Sequence, residues 1–483
     1  MQRRGIIGQA GPLLLARGAA TVLGFLLPLI LARLLPQAQF GTYKQVWLVA
    51  STGYWMLQMG LTASLYYFIP RQDGRGRAWY TQALCGVSLF GAIGALGVYL
   101  ARFAIARQFN NPELADFGLQ LAVITFTMTA TAPLEPELLA SGQTKLSALL
   151  SFSSDAVRVV ASVVPLLAGW GLQGFFWAYV LHGALRVCAC LWLLWRQGGP
   201  ELDRKLFLEQ LAYALPFGAA ILLDTPQKTF HQWAVGSSVD AAAFAIYAQG
   251  CFQLPVVSLL YQPISDVLQC RLAAPGGREH GAHLFHDANL RLAAVLFPFT
   301  ALMLASAGLF VPALFTHRYD GSVPIFRIAV LVTPFAALPL EGVLRATGQT
   351  RYVFRIFFWK LVATVPAVLL GIKLGGMVGA IAGHTAADMC IRCIMLARVR
   401  RELRCSWEEV LPWAQLGELA VGAVVACAPV VLIARAYAGG PRPLLALCAA
   451  GACYAAVYLG ALALKPGAGT PFAKVKRVLL GVA

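Results

Sequence analysis

Charged residues are scarce in this sequence. Aspartate, glutamate, lysine and arginine make up 12% of its 483 residues, whereas hydrophobic residues make up 59%. Soluble globular proteins carry about 25% charged residues, so the composition excludes that class and indicates an integral membrane protein. The apolar runs extend for about 20 residues, the length of a membrane-spanning helix, while the strands of a barrel would alternate over roughly 10. We therefore predict an all-α integral membrane protein.

Acidic residues are the scarcer of the two charge types, with 21 against 38 basic residues and a net charge of +17. A nucleic-acid-binding protein would place this excess in a polar domain with interleaved aromatic residues. Here most of the excess lies in short loops between apolar runs, so no nucleic-acid partner is predicted. Cationic loops mark the cytoplasmic side of a membrane, and their distribution predicts that both termini are cytoplasmic.

The sequence also lacks a pattern typical of a metal, redox or disulfide centre. It has eleven cysteines, an odd number, and most of them lie in or beside apolar runs, where cysteine acts as a small hydrophobic residue. Cys390 and Cys393 form a CxxC without a second pair, and the loop histidines His280, His283 and His286 have no adjoining cysteine or acid. We predict no metal site and no cofactor.

Fourteen apolar runs predict about 14 transmembrane helices with short connections. They lie near residues 11–35, 44–69, 80–103, 116–140, 147–169, 172–195, 207–235, 242–265, 289–315, 323–345, 352–373, 376–397, 412–436 and 442–464.

One phrase occurs twice in the chain. PLEPELLASGQTK begins at Pro133 and PLEGVLRATGQTR begins at Pro339, 206 positions later. Nearly the same offset relates other matches: A-x-F-x-x-Y-x-Q at 38–45 and 242–249, Pro12 and Pro216, Gly171-x-x-Gly174 and Gly376-x-x-Gly379, and Arg186 and Arg392. An internal repeat at a fixed offset indicates duplication of one structural unit.

The duplicated unit contains six predicted spans, an even number, so the copies have the same orientation in the membrane. They are parallel repeats of the kind found in transporters that alternate access to a central site. We predict an N-lobe at 1–200 with helices 1–6 and a C-lobe at 201–400 with helices 7–12. Residues 401–483 form two further helices and a basic cytoplasmic tail.

Two stretches resemble the polysaccharide-transport (Wzx-like) branch of the MOP flippase superfamily. LARLLPQAQFGTYKQVWLV is similar to the family's turn from helix 1 to helix 2, and LLASGQTKLSALLS to its junction of helices 4 and 5. The resemblance implies an alternating-access flippase for an undecaprenyl-pyrophosphate-linked oligosaccharide, such as an O-antigen or exopolysaccharide repeat unit. It also implies a place in the bacterial inner membrane, with membrane lipids and glycan polymerase machinery as partners.

Ionisable residues inside predicted spans are candidates for function, because each costs roughly 2.5–3.5 kcal/mol to insert. Cations outnumber acids among them, which suits an anionic pyrophosphate headgroup. The predicted substrate-binding residues are Arg17, Arg158, Lys228 and Arg392. Residues predicted to couple transport to protons or sodium ions are Asp155, Asp224, His231, His384 and Asp388. Arg327 and Lys360 are weaker candidates.

Span seven carries the clearest pattern. Asp224, Lys228 and His231 recur at i, i+4 and i+7, which places them on one helix face, and Pro226 is predicted to interrupt the backbone between the first two. The alternative is an Asp–Lys pair with a structural role. Two glutamates of the repeated phrase, Glu135 and Glu341, are interpreted as structural, paired with Lys145 and Arg351.

Two other functions remain open at this point. A cation-coupled multidrug exporter shares the superfamily, but its cavity should contain more acids than cations. A membrane glycan polymerase or glycosyltransferase would need a sizeable loop with acids or a metal, and the predicted loops are short. We predict a protein that is not an enzyme and has no catalytic residues.

Overall fold

The protein is helical throughout the residues that its computed structural model describes, which are 23–71, 74–252, 254–273, 279–437, 440 and 442–463, with no strand among them. The helices are α1 (Leu23–Leu34), α2 (Gln37–Leu57), α3 (Leu61–Phe68), α4 (Gly76–Leu100), α5 (Arg102–Gln108), α6 (Glu113–Asp116), α7 (Gly118–Ala130), α8 (Leu134–Ala140), α9 (Thr144–Leu167), α10 (Gly171–Arg196), α11 (Arg204–Gly236), α12 (Ala241–Gly250), α13 (Pro255–Ala273), α14 (Gly281–Phe315), α15 (Val323–Val330), α16 (Leu340–Ala346), α17 (Thr350–Glu402), α18 (Trp407–Val410), α19 (Trp413–Val425), α20 (Cys427–Ala436) and α21 (Pro443–Ala463).

Nine helical segments of the described chain are long and apolar enough to cross a membrane, or ten if the bent pair α12 and α13 forms one span. The all-α membrane fold is thus confirmed, while the count of fourteen stays a prediction. The numbers differ partly because several predicted spans are divided into shorter helices and because α17 contains two of them.

The division of the second predicted span, 44–69, has a local cause. Met59 and Gly60 have φ angles of 47° and 76°, in the left-handed region, which a regular α-helix excludes. The chain therefore ends α2 and starts α3 in a new direction. The fourth predicted span, 116–140, is divided between α7 and α8 next to Pro133, which has no backbone N–H to continue the helical pattern.

Helix α17 turns back on itself at two glycines. Gly375 and Gly376 have non-helical backbone angles, and the arms on either side run antiparallel in close contact. A Cβ atom on Gly371 would lie 2.1 Å from the carbonyl oxygen of Gly379. The arms correspond to the predicted spans 352–373 and 376–397.

The predicted repeat is visible at this turn. Gly376 begins the second arm of α17 with φ of 57°, and Gly171 begins α10 with φ of 60°. These two glycines are the first residues of the two Gly-x-x-Gly motifs, and both adopt a conformation that favours glycine. Helices α9 and α10 therefore form a hairpin that corresponds to α17.

Packing divides the chain into two compact units, 1–245 and 246–483. In the first unit α4 packs on α7, α9 packs on α10, and α11 packs on α2, α3 and α4. In the second unit α14 contacts α13, α19, α20 and α21, and α16 contacts α17. The repeat assigns α11 to the C-lobe, whereas α11 packs in the first unit. The lobe boundaries at 200 and 400 remain a prediction drawn from the repeat.

Helix α11 approaches the start of α3 closely. A Cβ atom on Gly60 would lie 2.5 Å from the carbonyl oxygen of Ala214, and one on Gly218 would lie 2.6 Å from that of Met59. About two turns further along α3, the ring of Tyr67 stacks on that of Tyr213, with centroids 4.3 Å apart. Only glycines permit this approach of the two backbones.

Candidate functional site

Asp155 and Arg158, two predicted site residues, form an ion pair on one face of α9. The Arg158 guanidinium lies 2.8 Å from the Asp155 carboxylate, and both side chains are largely buried. Arg158 also interacts with Tyr179 on α10. Its terminal nitrogen lies beside Gly24 of α1, 3.6 Å from where a Cβ would stand. Arg158 thus connects three helices and is balanced by an acid.

A second ion pair in the same unit connects α10 with α8, and its arginine also contacts α9. Arg186 on α10 donates to Glu135 of α8 at 3.0 Å and to the Ser154 hydroxyl of α9 at 3.0 Å. Its Nε donates to Thr131 at 3.3 Å. The predicted pairing of Glu135 with Lys145 is therefore wrong, because an arginine facing it from α10 binds it instead.

His182 lies one turn from Arg186 on α10. Its Nε2 is 3.0 Å from the Ser154 hydroxyl and 3.1 Å from the Ser154 carbonyl oxygen. We call Glu135, Ser154, His182 and Arg186 the first-repeat cluster.

The second unit contains a corresponding group of charges. Asp388, on the second arm of α17, accepts a hydrogen bond from Arg392 Nε at 2.7 Å and forms an ion pair with Lys360 of the first arm. Asp388 is 8% exposed, so its charge is screened by these two cations more than by solvent. Two predicted site residues are thereby joined to Lys360, which the sequence indicated only weakly.

Glu341 of α16 stands beside this group. It pairs with Arg345 at 3.0 Å, so the predicted pairing with Arg351 is wrong. An i, i+4 partner on the same helix already faces Glu341. We call Glu341, Lys360, Asp388 and Arg392 the second-repeat cluster.

The second-repeat cluster lines a small pocket between α13, α16 and both arms of α17. Tyr261 contributes to its polar wall, and Phe357 and Met395 to its apolar wall. His384, a predicted coupling residue, lies one turn before Asp388 and is close enough to Asp388 and Lys360 to interact electrostatically.

The two clusters occupy equivalent positions of the repeat. Glu135 and Glu341 are 206 residues apart, and so are the members of three further pairs: Ser154 and Lys360, His182 and Asp388, and Arg186 and Arg392. In each copy a side chain of the first hairpin arm contacts one of the second arm, Ser154 with His182 and Lys360 with Asp388. The duplication therefore extends to buried polar contacts.

The three residues of the predicted stripe on α11 differ in their surroundings. Lys228 and Asp224 form an ion pair at 2.5 Å, with the Lys228 side chain 63% exposed, whereas His231 is buried. The predicted interruption at Pro226 is wrong, since α11 is continuous from Arg204 to Gly236. A proline removes one donor, but the neighbouring turns keep this helix intact.

Arg17 lies outside the described residues. Each of the other predicted substrate-binding cations has an acidic partner, so the predicted excess of cations is smaller than the sequence indicated. Sequence reasoning missed Glu135 and Arg186 as site residues and ranked Lys360 only as a weaker candidate. The signal for the first two was present, because the repeat offset aligns them with Glu341 and Arg392.

Comparisons with known proteins agree with this architecture. The profile of the family described as "Polysaccharide biosynthesis protein" matches residues 30–324, more than half of the chain. The comparison with curated proteins gives no match.

Solved structures with a similar fold are transporters and flippases. The inward closed conformation of the lipid II flippase MurJ is 10% identical, with a TM-score of 0.73, and the match covers 97% of this chain and 99% of MurJ. An inward-facing multidrug resistance MATE family transporter of the MOP superfamily is 15% identical, with a TM-score of 0.65 over 79% of this chain and 94% of the transporter.

A third similar structure is that of the eukaryotic MATE transporter AtDTX14. It is 16% identical, with a TM-score of 0.60 over 86% of this chain and 97% of AtDTX14. The family match spans parts of both compact units, and the structural matches cover most of the chain. The chain therefore belongs to the polysaccharide biosynthesis protein family and has the fold of the MOP superfamily, as its sequence motifs predicted.

Proposed function

We propose that this chain is an alternating-access flippase. It moves an undecaprenyl-pyrophosphate-linked oligosaccharide, an O-antigen or exopolysaccharide repeat unit, from the cytoplasmic to the outer leaflet of the bacterial inner membrane. The observation that carries the proposal is the match to a polysaccharide biosynthesis family on a fold shared with a lipid II flippase.

The chemistry of the substrate assigns roles to the charged residues. A pyrophosphate needs charge-assisted donors, which Arg17, Arg158, Lys228 and Arg392 would supply. The sugars need a wet cavity because their hydroxyls cannot cross lipid without hydrogen bonds, while the polyprenyl tail stays in lipid. Coupling to protons or sodium ions would use Asp155, Asp224, His231, His384 and Asp388.

The ion pairs of the described structure fit this division of roles. Arg158, Lys228 and Arg392 each hold a carboxylate that is predicted to couple transport, namely Asp155, Asp224 and Asp388. An arriving phosphate competes with that carboxylate for the cation, so substrate binding and the ionic state of the acid are linked. Such linkage is what coupled transport requires.

A reconstituted flipping assay tests the proposal. Purified protein in proteoliposomes receives a fluorescent undecaprenyl-pyrophosphate oligosaccharide, and a membrane-impermeant quencher then reports the fraction in the outer leaflet. We expect the accessible fraction to rise faster than in protein-free liposomes and than with the Lys228→Ala variant. Equal rates with and without protein would contradict the proposal.

The multidrug exporter is the other outcome to be measured. Loss of the gene should leave lipid-linked oligosaccharide in the inner leaflet and reduce surface polysaccharide. Unchanged surface polysaccharide, together with increased resistance to cationic dyes on expression, would assign the chain to export instead.

A further inference from the structure

Together with Arg345, the second-repeat cluster contains three cations and two carboxylates, a net charge of +1. Lys360 and Arg392 share the single carboxylate of Asp388. Glu341 lines the same pocket and is close enough to Arg392 to interact with it electrostatically, but its ion-pair partner is Arg345 at 3.0 Å. Two partly buried cations that share one carboxylate attract a further anion.

The corresponding pairs of the first unit have no excess charge. Arg158 binds Asp155 and Arg186 binds Glu135, one carboxylate for each arginine. These pairs are internally neutral, so an anion can bind there only by displacing a carboxylate.

The corresponding contacts of the two hairpins show that packing does not require the extra charges. At this position of the first repeat, Ser154 and His182 join the two arms by a hydrogen bond and not by an ion pair, and Arg186 donates to the same Ser154 hydroxyl. In the second, Lys360 and Asp388 make the equivalent contact as an ion pair. Burying an ion pair costs several kcal/mol per ion in desolvation and often gives no net stability. A hydrogen bond suffices at this position of the first repeat. We therefore interpret the ion pair of the second repeat as a sign of a role in binding.

Exposure decreases across the charged residues of the pocket. Arg392 is 27% exposed, while Lys360 and Asp388 lie deeper, at 14% and 8%. Tyr261 adds a hydroxyl to the polar wall, and Phe357 lies beside it. A phosphate group would meet the Arg392 fork first and then the Lys360 ammonium, both of which suit phosphate oxygens.

From this arrangement we propose that the pocket around Lys360, Asp388 and Arg392 binds the pyrophosphate of a lipid-linked substrate. The phosphate replaces the Asp388 carboxylate as the partner of the Lys360 ammonium. Asp388 stays paired with Arg392. Asp388 is thus the internal anion that holds the site closed when no substrate is present. This inference rests on the proposed function and assigns its phosphate to one pocket of the second unit.

Binding measurements on purified protein in detergent test the inference. The probes are undecaprenyl pyrophosphate, undecaprenol and inorganic pyrophosphate. Lys360→Gln should weaken undecaprenyl pyrophosphate binding by roughly tenfold or more, the scale of one charge-assisted hydrogen bond, and leave undecaprenol binding unchanged. This variant should fold, because Asp388 keeps Arg392.

Two further variants sharpen the result. Ser154→Ala alters the equivalent position of the first repeat and should leave the affinity within about twofold. Asp388→Asn removes the competing carboxylate and should tighten undecaprenyl pyrophosphate binding. Lys360→Gln binding like the wild type, or a folded Asp388→Asn protein with the wild-type melting temperature binding more weakly than the wild type, would overturn the inference. Equally tight binding of inorganic pyrophosphate would overturn its assignment to a lipid-linked ligand.

The flipping assay separates this inference from the proposed function. If the wild type flips the oligosaccharide and Lys360→Gln binds and flips equally well, the pocket assignment fails and the function stands. If the wild type does not flip, the function itself fails.

Discussion

At the scale of single residues, the two glutamates of the repeated phrase differ in burial and partner. Glu135 is 26% exposed and binds Arg186, which is 23% exposed. The equivalent residue, Glu341, is 40% exposed, and its partner Arg345 is 47% exposed. Equivalent positions of the two repeats therefore place a glutamate in two different environments.

The first prediction concerns this contrast. Glu135→Gln leaves the Arg186 guanidinium without its counter-charge, and we expect a loss of roughly 3 kcal/mol in the free energy of unfolding. Glu341→Gln is the matched control and should cost less than about 1 kcal/mol, as exposed pairs do. Thermal unfolding in detergent measures both. Equal losses would show that burial does not decide the strength of these pairs.

The second prediction concerns Lys228. Its pair with Asp224 is exposed on the lysine side, so Lys228→Ala should change stability by less than about 1 kcal/mol. The rate of flipping should fall roughly tenfold, because a phosphate ligand is lost.

Arg77→Ala, in an exposed pair with Glu201, is the control for that measurement and should keep the wild-type rate. Normal flipping by a well-folded Lys228→Ala protein would remove Lys228 from the substrate-binding set.

Individual residues of the site could be predicted from the sequence, but the residues with which they form ion pairs could not. An acid or cation in an apolar run is visible in sequence, and this identified Asp155, Arg158, Asp388 and Arg392. The partners of Arg186 and Lys360 come from another helix or hairpin arm. No spacing rule for one helix relates them, so only the repeat or the fold brings them together.

At the scale of helices, the contact between α3 and α11 depends on residues without side chains. A Cβ on Gly218 would lie 2.6 Å from the Met59 carbonyl oxygen, closer than two such atoms can approach. The backbones can meet here because position 218 is glycine.

The third prediction follows from that distance. Gly218→Ala should destabilise the protein by about 1–3 kcal/mol through overpacking. Gly308→Ala is the control, since a Cβ there has nothing within 4 Å and alanine favours the helix by up to about 1 kcal/mol. The two melting temperatures should move in opposite directions. A melting temperature of Gly218→Ala at or above the wild type would contradict the described contact.

Helix positions were easier to predict than helix breaks. Apolar length placed α4, α9, α10 and α11 within a few residues, because each is a continuous apolar run bounded by polar residues. The break at Gly60 was not predicted, because the run continues through it and hydropathy does not report a left-handed backbone angle. Pro226 is the converse case. Its residue type predicts a break, yet α11 is continuous through it.

At the scale of the whole molecule, orientation in the membrane is the property that charge distribution predicts most directly. The cation-rich loops are predicted to be cytoplasmic along with both termini. The fold is compatible with either direction, because a helix bundle has no intrinsic inside.

The fourth prediction tests that orientation with fusions to alkaline phosphatase, which is active only outside the cytoplasm. A fusion after Asp320, in the short 3-10 helix that precedes α15, should be active. A fusion after Gly199, between α10 and α11, should be inactive. A C-terminal green fluorescent protein should fluoresce. The reverse pattern would place both termini outside.

The α17 hairpin has a consequence for how the chain enters the bilayer. Lys360 and Asp388 lie on opposite arms, so the ammonium and the carboxylate reach the membrane interior as a pair only if both arms are inserted together. Either charge alone would cost roughly 2.5–3.5 kcal/mol at the centre of a single helix. A nascent chain halted at the Gly375–Gly376 turn would expose an uncompensated lysine, so biogenesis of this region should proceed by hairpins rather than by single helices.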